Sequence, residues 1–122
     1  QFEDVIVHED PDTIAGIILE PITNTGGIIT PTEEYFQILR EVCDRYEVLL
    51  IFDEIVTGFR LAMGGAQELF DVTPDLGCFG KAMANGFPIA PVSGKSEYMD
   101  TLFPAGPAFF SGYSAIRHWP GR

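Results

Sequence analysis

With 122 residues, 46% hydrophobic and 20% charged, the chain suits one domain with a buried core and is too short for two. Its 7 basic and 18 acidic residues leave a formal net charge of −11, which argues against nucleic acid and anionic membrane surfaces as partners. No apolar run approaches the length that spans a bilayer, and Cys43 and Cys78 lie too far apart for a zinc or redox pair.

The acidic N-terminus, "QFEDVIVHEDPD", lacks the basic-then-apolar order of a signal peptide. The expected location is therefore cytoplasmic, with both thiols reduced. "TIAGIILEPI" (13–22), rich in Ile and stopped by Pro21, reads as a buried strand. A loop punctuated by Gly26 and Gly27 follows. In "TPTEEYFQILREVCDRYE" Thr30 is the expected helix cap, with Pro31 in the first helical position and Glu33 closing a capping box. Tyr35, Leu39, Val42 and Tyr46 form its apolar stripe. "VLLIF" (48–52) is a second buried strand.

A short helix is expected around Ala66 to Phe70, then a short strand in "LGCF", a strand through Pro88 to Ser93, and a helix in "SEYMDTLF". Near-continuous apolar strands alternating with helices point to an α/β fold, parallel at least in its first two strands. In such sheets chemistry collects beyond the carboxyl ends of the strands. Glu20, Asp53 and Lys81 all fall there.

"LLIFDEIVTGFR" (49–60) poses the sharpest question, because a buried apolar strand ends in two adjacent acids, Asp53 and Glu54. A buried carboxylate without a partner is expensive. One reading is a Walker-B strand holding Mg²⁺ beside a nucleotide. It fails, because "LGCFGKAM" has Ala82 where a phosphate loop needs Ser or Thr, and Asp75 where it needs its first glycine. A second reading pairs Asp53 with the ring nitrogen of pyridoxal phosphate and makes Lys81 the Schiff-base lysine. A third leaves Asp53 a strand-end acid and Lys81 a solvated side chain. No spacing of ligand types suggests a metal site.

"IILEPITNTGGIITPTEEYFQILREVCDRYEVLLIFDEIVTGFR" followed by "GGAQELFDVTPDLGCFGKAMANGFPIAPVSGK" resembles the class III aminotransferases, of pyridoxal-phosphate fold type I. The Glu–Pro, Asp–Glu-x-x-Thr–Gly–Phe, Pro–Asp and Gly–Lys stand in family order over residues 14 to about 112. "TGFR", "GGAQ" and "PAGPAFFSG" lean towards the glutamate-1-semialdehyde aminomutase branch.

The resemblance implies a pyridoxal 5'-phosphate-dependent aminotransferase or aminomutase. Lys81 would form the cofactor aldimine, and Asp53 would face the pyridine nitrogen. Val56 would pack on the ring or serve as a plain core valine, and Glu20 would sit at the cofactor edge or brace its loop. Thr25, with Asn24 beside it, stands where the aminomutase branch has an asparagine on the phenolic oxygen. Glu54 and Arg60 are expected to be structural and paired, and His8 and His118 to be surface residues.

The implied partners are a small-molecule amino donor, a keto or aldehyde acceptor, and a second copy of the chain in a homodimer. The implied organisation is a partial large cofactor domain over 1–112 and a divergent tail over 113–122, with the small C-terminal domain absent. Tyr113 takes the position of the family's threonine that reaches a neighbouring subunit's phosphate, and the phosphate loop lies before Gln1. The competing reading is a non-catalytic remnant that folds or binds partners without chemistry.

Overall fold

A computed structural model of the chain describes residues 1–101. The tail from 113, Tyr113 and His118 lie outside these residues. In chain order the structure has helix α1 (Phe2–Glu9), a 3₁₀ turn (Pro11–Thr13), strand β1 (Gly16–Leu19), helix α2 (Glu33–Arg45) and strand β2 (Leu49–Asp53). Helix α3 (Ala66–Leu69), strands β3 (Leu76–Cys78) and β4 (Val92–Gly94), and helix α4 (Ser96–Met99) complete it. The strands form one sheet in the order β1-β2-β3-β4. The first three are parallel and β4 is antiparallel to β3, so the expected α/β class holds.

Helix α2 begins later than the expected cap. Thr32 is the cap, its side chain accepting from the Tyr35 N–H at 3.3 Å. The reason is local: Pro31 disfavours helical geometry at Thr30, which leaves Thr32 as the next hydroxyl able to cap. The third helical residue is then Tyr35 rather than an acid, so no capping box closes. Glu33 and Glu34 instead lie in the first turn, where the helix dipole favours negative charge.

Of the expected stripe, Leu39 and Val42 are buried, with Phe36 and Cys43 beside them, while Tyr35 and Tyr46 are half-buried. Phe36 is the hub: its ring lies 5.2 Å from Tyr35, 5.3 Å from Phe52 and 4.7 Å from Phe70, joining α2, β2 and the segment after α3. Leu50, Ala66 and Val72 close the same core.

Helix α1 has no counterpart in the sequence reading. Only its Ile6 is buried, packed with Val42 and Val48, and Glu3 ties the helix to Arg45 at 2.6 Å and to the Tyr46 hydroxyl at 3.0 Å. A helix held by one apolar residue carries too little periodicity to be read. β4 also starts later than expected, at Val92. Pro88 and Pro91 have no N–H for a ladder, so Pro91 contributes only its carbonyl, to the Phe79 N–H at 2.9 Å.

Alternation along β2 sets up the site. Leu50 and Phe52 point into the core, while Leu49, Ile51 and Asp53 share the opposite, half-buried face. Glu54 returns to the core side and is 0% exposed. The two adjacent acids therefore face opposite ways.

Candidate functional site

The parallel pairing brings three strand ends to one edge. Leu19 is paired with Phe52, so Glu20 emerges beside Asp53, and Asp53 is itself paired with Cys78. Phe79 and Gly80 then lead to Lys81, which is exposed. Lys81 adopts a left-handed φ of 39°, and its carbonyl accepts from the Ala84 and Asn85 N–H groups at 3.1 and 3.2 Å. A non-glycine residue in this region is uncommon and costs energy. Beside Lys81 lies an open hollow of about 300 Å³, lined in part by Ile55, Ala84 and Phe87.

Asp53 is half-buried. Its Oδ1 accepts from the Ile55 N–H at 3.0 Å, and among the described residues its other oxygen takes no hydrogen bond. No ion pair joins Asp53 to Lys81 among the described residues. The Asp53 charge is still felt nearby: burial first, and then this carboxylate, push the Cys78 thiol above its ordinary range.

Glu20 braces the loop after β1. Its carboxylate accepts from the Asn24 N–H and the Thr25 hydroxyl, both at 2.7 Å. Those bonds, the Thr25 hydroxyl foremost, hold Glu20 below the usual carboxylate range, and the Lys81 charge acts in the same direction. Thr25 is exposed, with its hydroxyl directed at Glu20. Val56 is half-buried in the turn after β2. A larger hollow, about 580 Å³ and lined by Phe59, Gln67, Phe79 and Met83 among others, contains neither Asp53 nor Lys81.

Glu54 is structural, as expected, but Arg60 is not its partner. Its Oε2 accepts from the Thr57 hydroxyl at 2.6 Å and the Ala66 N–H at 2.8 Å, and its Oε1 accepts from the Gln67 N–H at 2.9 Å. These donors come from its own turn and from the start of α3. They satisfy a carboxylate that Arg60, exposed on the surface, does not reach.

The sequence reading missed a second buried acid, Asp75. Its Oδ2 accepts from Arg40 at 2.9 Å and from the Leu50 N–H at 2.8 Å, and its Oδ1 meets Lys95 Nζ at 2.6 Å. Burial opposes the charge, and the bonds from Lys95, Leu50 and Arg40 outweigh it, so Asp75 titrates below the ordinary carboxylate range. The available signal was the Pro74–Asp75 pair immediately before an apolar strand.

Pyridoxal phosphate needs an acid for its ring nitrogen and an accessible primary amine, and this edge offers both. The buried strand holds Asp53 rigidly with one oxygen open, and the only other lysine of the chain, Lys95, is engaged by Asp75. Hydrogen bonding to Asp75 holds the Lys95 amine above its ordinary range. The residues fit the cofactor.

The sequence model of the class-III aminotransferase family matches residues 1–114, so the match extends to the N-terminal segment as well. The chain is 48% identical over 101 residues to the glutamate-1-semialdehyde 2,1-aminomutase of Sulfurihydrogenibium sp. (strain YO3AOP1), covering 83% of this chain and 24% of that protein. With the enzyme of the same name from Methanococcus maripaludis (strain C5) it shares 47% over 107 residues, covering 88% and 25%. The chain thus spans about a quarter of the length of these curated relatives.

Among solved structures, a transaminase from directed evolution by ancestral reconstruction superposes with a TM-score of 0.67 at 39% identity, over 76% of this chain and 20% of that one. The omega transaminase from Pseudomonas jessenii, solved in complex with PMP, gives 0.66 at 33%, over 75% and 20%.

Proposed function

Because the chain belongs to the class-III aminotransferase family, we propose that it carries the lysine-bearing edge of a pyridoxal-phosphate enzyme that moves an amino group between small molecules. When bound, the cofactor supplies an electron-withdrawing ring and an aldehyde carbon open to attack by a primary amine. Asp53 would hold the ring nitrogen through its free oxygen and would favour a proton on that nitrogen by charge. Lys81 would supply the primary amine for the aldehyde carbon and the group that carries a proton to or from the substrate.

Val56 would pack against the ring, and Glu20 and Thr25 would stand at the cofactor edge. Glu20 is held ionised there by Thr25 and Asn24. The substrates are an amino donor and a keto or aldehyde acceptor. The active assembly is a homodimer, the stretch 1–112 forming part of its large domain.

The observation that carries this reading is an Asp53 oxygen without a hydrogen bond among the described residues, on the same sheet edge as a lysine that makes no ion pair among them. Borohydride reduction of the full-length protein with pyridoxal phosphate, followed by peptide mapping, tests it. The label is expected on Lys81, and a label on Lys95 would overturn the assignment. The test is selective, because Lys95 also follows a glycine but its amine is engaged by Asp75.

A further inference from the structure

Asp53 and Val56 reach the cofactor only if the turn that follows β2 is held still. That turn runs 54–65 between a strand and a helix of one turn, and it contains little that would fix it by packing alone. Phe59 and Leu61 are exposed, and Met63 is 81% exposed. The Gly64 N–H donates to the Glu68 carboxylate at 2.6 Å on its exposed side, and on its buried side the turn closes on one side chain. Glu54, fully buried, accepts the Thr57 hydroxyl from within the turn and the Ala66 and Gln67 N–H groups from its far end.

Two glycines of the turn leave room for Glu54, one for its carboxylate and one for its backbone carbonyl. A Cβ on Gly65, at φ 82°, would lie 2.5 Å from Glu54 Oε2, and one on Gly58 would lie 2.7 Å from the Glu54 carbonyl oxygen. The same turn supplies the Ile55 N–H that orients Asp53 Oδ1, and the Ile55 side chain lines the hollow beside Lys81. Glu54 N–H in turn donates to the Cys78 carbonyl at 2.9 Å, joining the turn to the strand that leads into Lys81.

We infer that Glu54 is a positioning residue: its carboxylate clasps the 54–67 loop so that Asp53 and Val56 are held in register with Lys81 for the cofactor ring. This rests on the reading of Asp53 and Lys81 given above. All three bonds need an acceptor, and glutamine cannot supply them. Whichever way its amide turns, the NH₂ group faces a backbone N–H, that of Gln67 or that of Ala66.

The test uses the full-length protein and pyridoxal phosphate itself. In Glu54→Gln the Kd for the cofactor is expected to weaken about tenfold or more, as for loss of one hydrogen bond to a charged group. The visible circular dichroism of the bound cofactor, which reports ring orientation, should fall with it. Ile6→Ala, in the separate cluster under α1, is the control: it lowers stability and should leave that dichroism intact. Should Glu54→Gln not fold, Thr57→Val removes one of the three bonds and should shift both readouts in the same direction by less. Unchanged Kd and dichroism in either folded variant would overturn the proposal. Lys81→Ala separates the two readings: if it retains the normal visible dichroism, the lysine assignment fails, whatever Glu54 does.

Discussion

The chain places an aspartate and a lysine at each end of the β2–β3 strand pair, and only one of the two sets is an ion pair among the described residues. Asp75 sits just before β3, level with the first half of β2, and both of its oxygens are engaged, by Arg40, the Leu50 N–H and Lys95. Asp53 sits at the carboxyl end of β2 with a single bond from Ile55, and no ion pair joins it to Lys81 among the described residues. Folding alone explains the first arrangement, since a buried carboxylate tied to the neighbouring strand's backbone fixes the pairing of β3 with β2. It does not explain the second, where a half-buried acid keeps an oxygen open and a lysine accepts an unfavourable backbone conformation.

The most direct way to break that contrast is Asp53→Asn in the full-length protein. The side chain keeps its shape and loses its charge, so on the proposed reading the ring nitrogen would no longer be held protonated. A buried charge-assisted bond contributes roughly 1.5–3 kcal/mol to binding, and the electron-withdrawing power of the ring weakens as well. Turnover should fall by orders of magnitude while borohydride still places the label on Lys81. Steady-state kinetics with near-normal turnover would mean that Asp53 is as structural as Asp75.

The opposite effect is expected at the other pairing. Asp75→Ala leaves Arg40, which is largely buried, facing an emptied site, and it removes the acceptor of the Leu50 N–H. Breaking a buried pair in this way costs about 3–5 kcal/mol. Most of that should come from Arg40 and the backbone bond, because Lys95 is half exposed and screened by solvent. Chemical denaturation should show the loss directly.

The pH dependence follows from the sign of the shift. The folded Asp75 titrates below an unfolded aspartate, so its contribution is complete above the ordinary carboxylate value near ~4 and disappears as pH falls through the lower folded value. The stability gap between wild type and Asp75→Asn should therefore be widest near neutrality and close in acid. A gap that widened in acid would contradict the ion-pair account.

What the sequence disclosed follows the same division. The apolar runs that form β1 and β2, the Gly–Lys after β3 and the acid at the end of β2 are all local signals, and Glu20, Asp53 and Lys81 could be placed on one edge from strand order alone. The partners of Glu54 and Asp75 could not. A carboxylate bound to the Gln67 N–H or the Leu50 N–H leaves no periodic trace, because its partners are backbone groups brought near by tertiary folding. Helix α1 escaped for a related reason, its single buried contact being too little to imprint a stripe. Thr30 was mistaken for the cap because two threonines flank Pro31, and only the conformational restriction imposed by that proline chooses between them.

The smallest expected effect separates the two lysines by stability alone. Lys95 donates to a buried acid, so Lys95→Met should cost up to about 1 kcal/mol, the range of a partly exposed ion pair. Lys81 has no ion pair among the described residues and holds a φ of 39°, a region that glycine enters without steric penalty. Replacing it by glycine relieves that strain, although it also frees the unfolded chain, which offsets part of the gain. The net effect of Lys81→Gly should be a stabilisation of roughly 0.5 kcal/mol together with complete loss of the borohydride label, the trade-off expected where a strained residue is retained for its chemistry. Thermal unfolding of the two variants without cofactor gives the comparison. If Lys81→Gly proved as destabilising as Lys95→Met, Lys81 would be held by its fold rather than exposed for a ligand, and the contrast between the two ends of the strand pair would collapse.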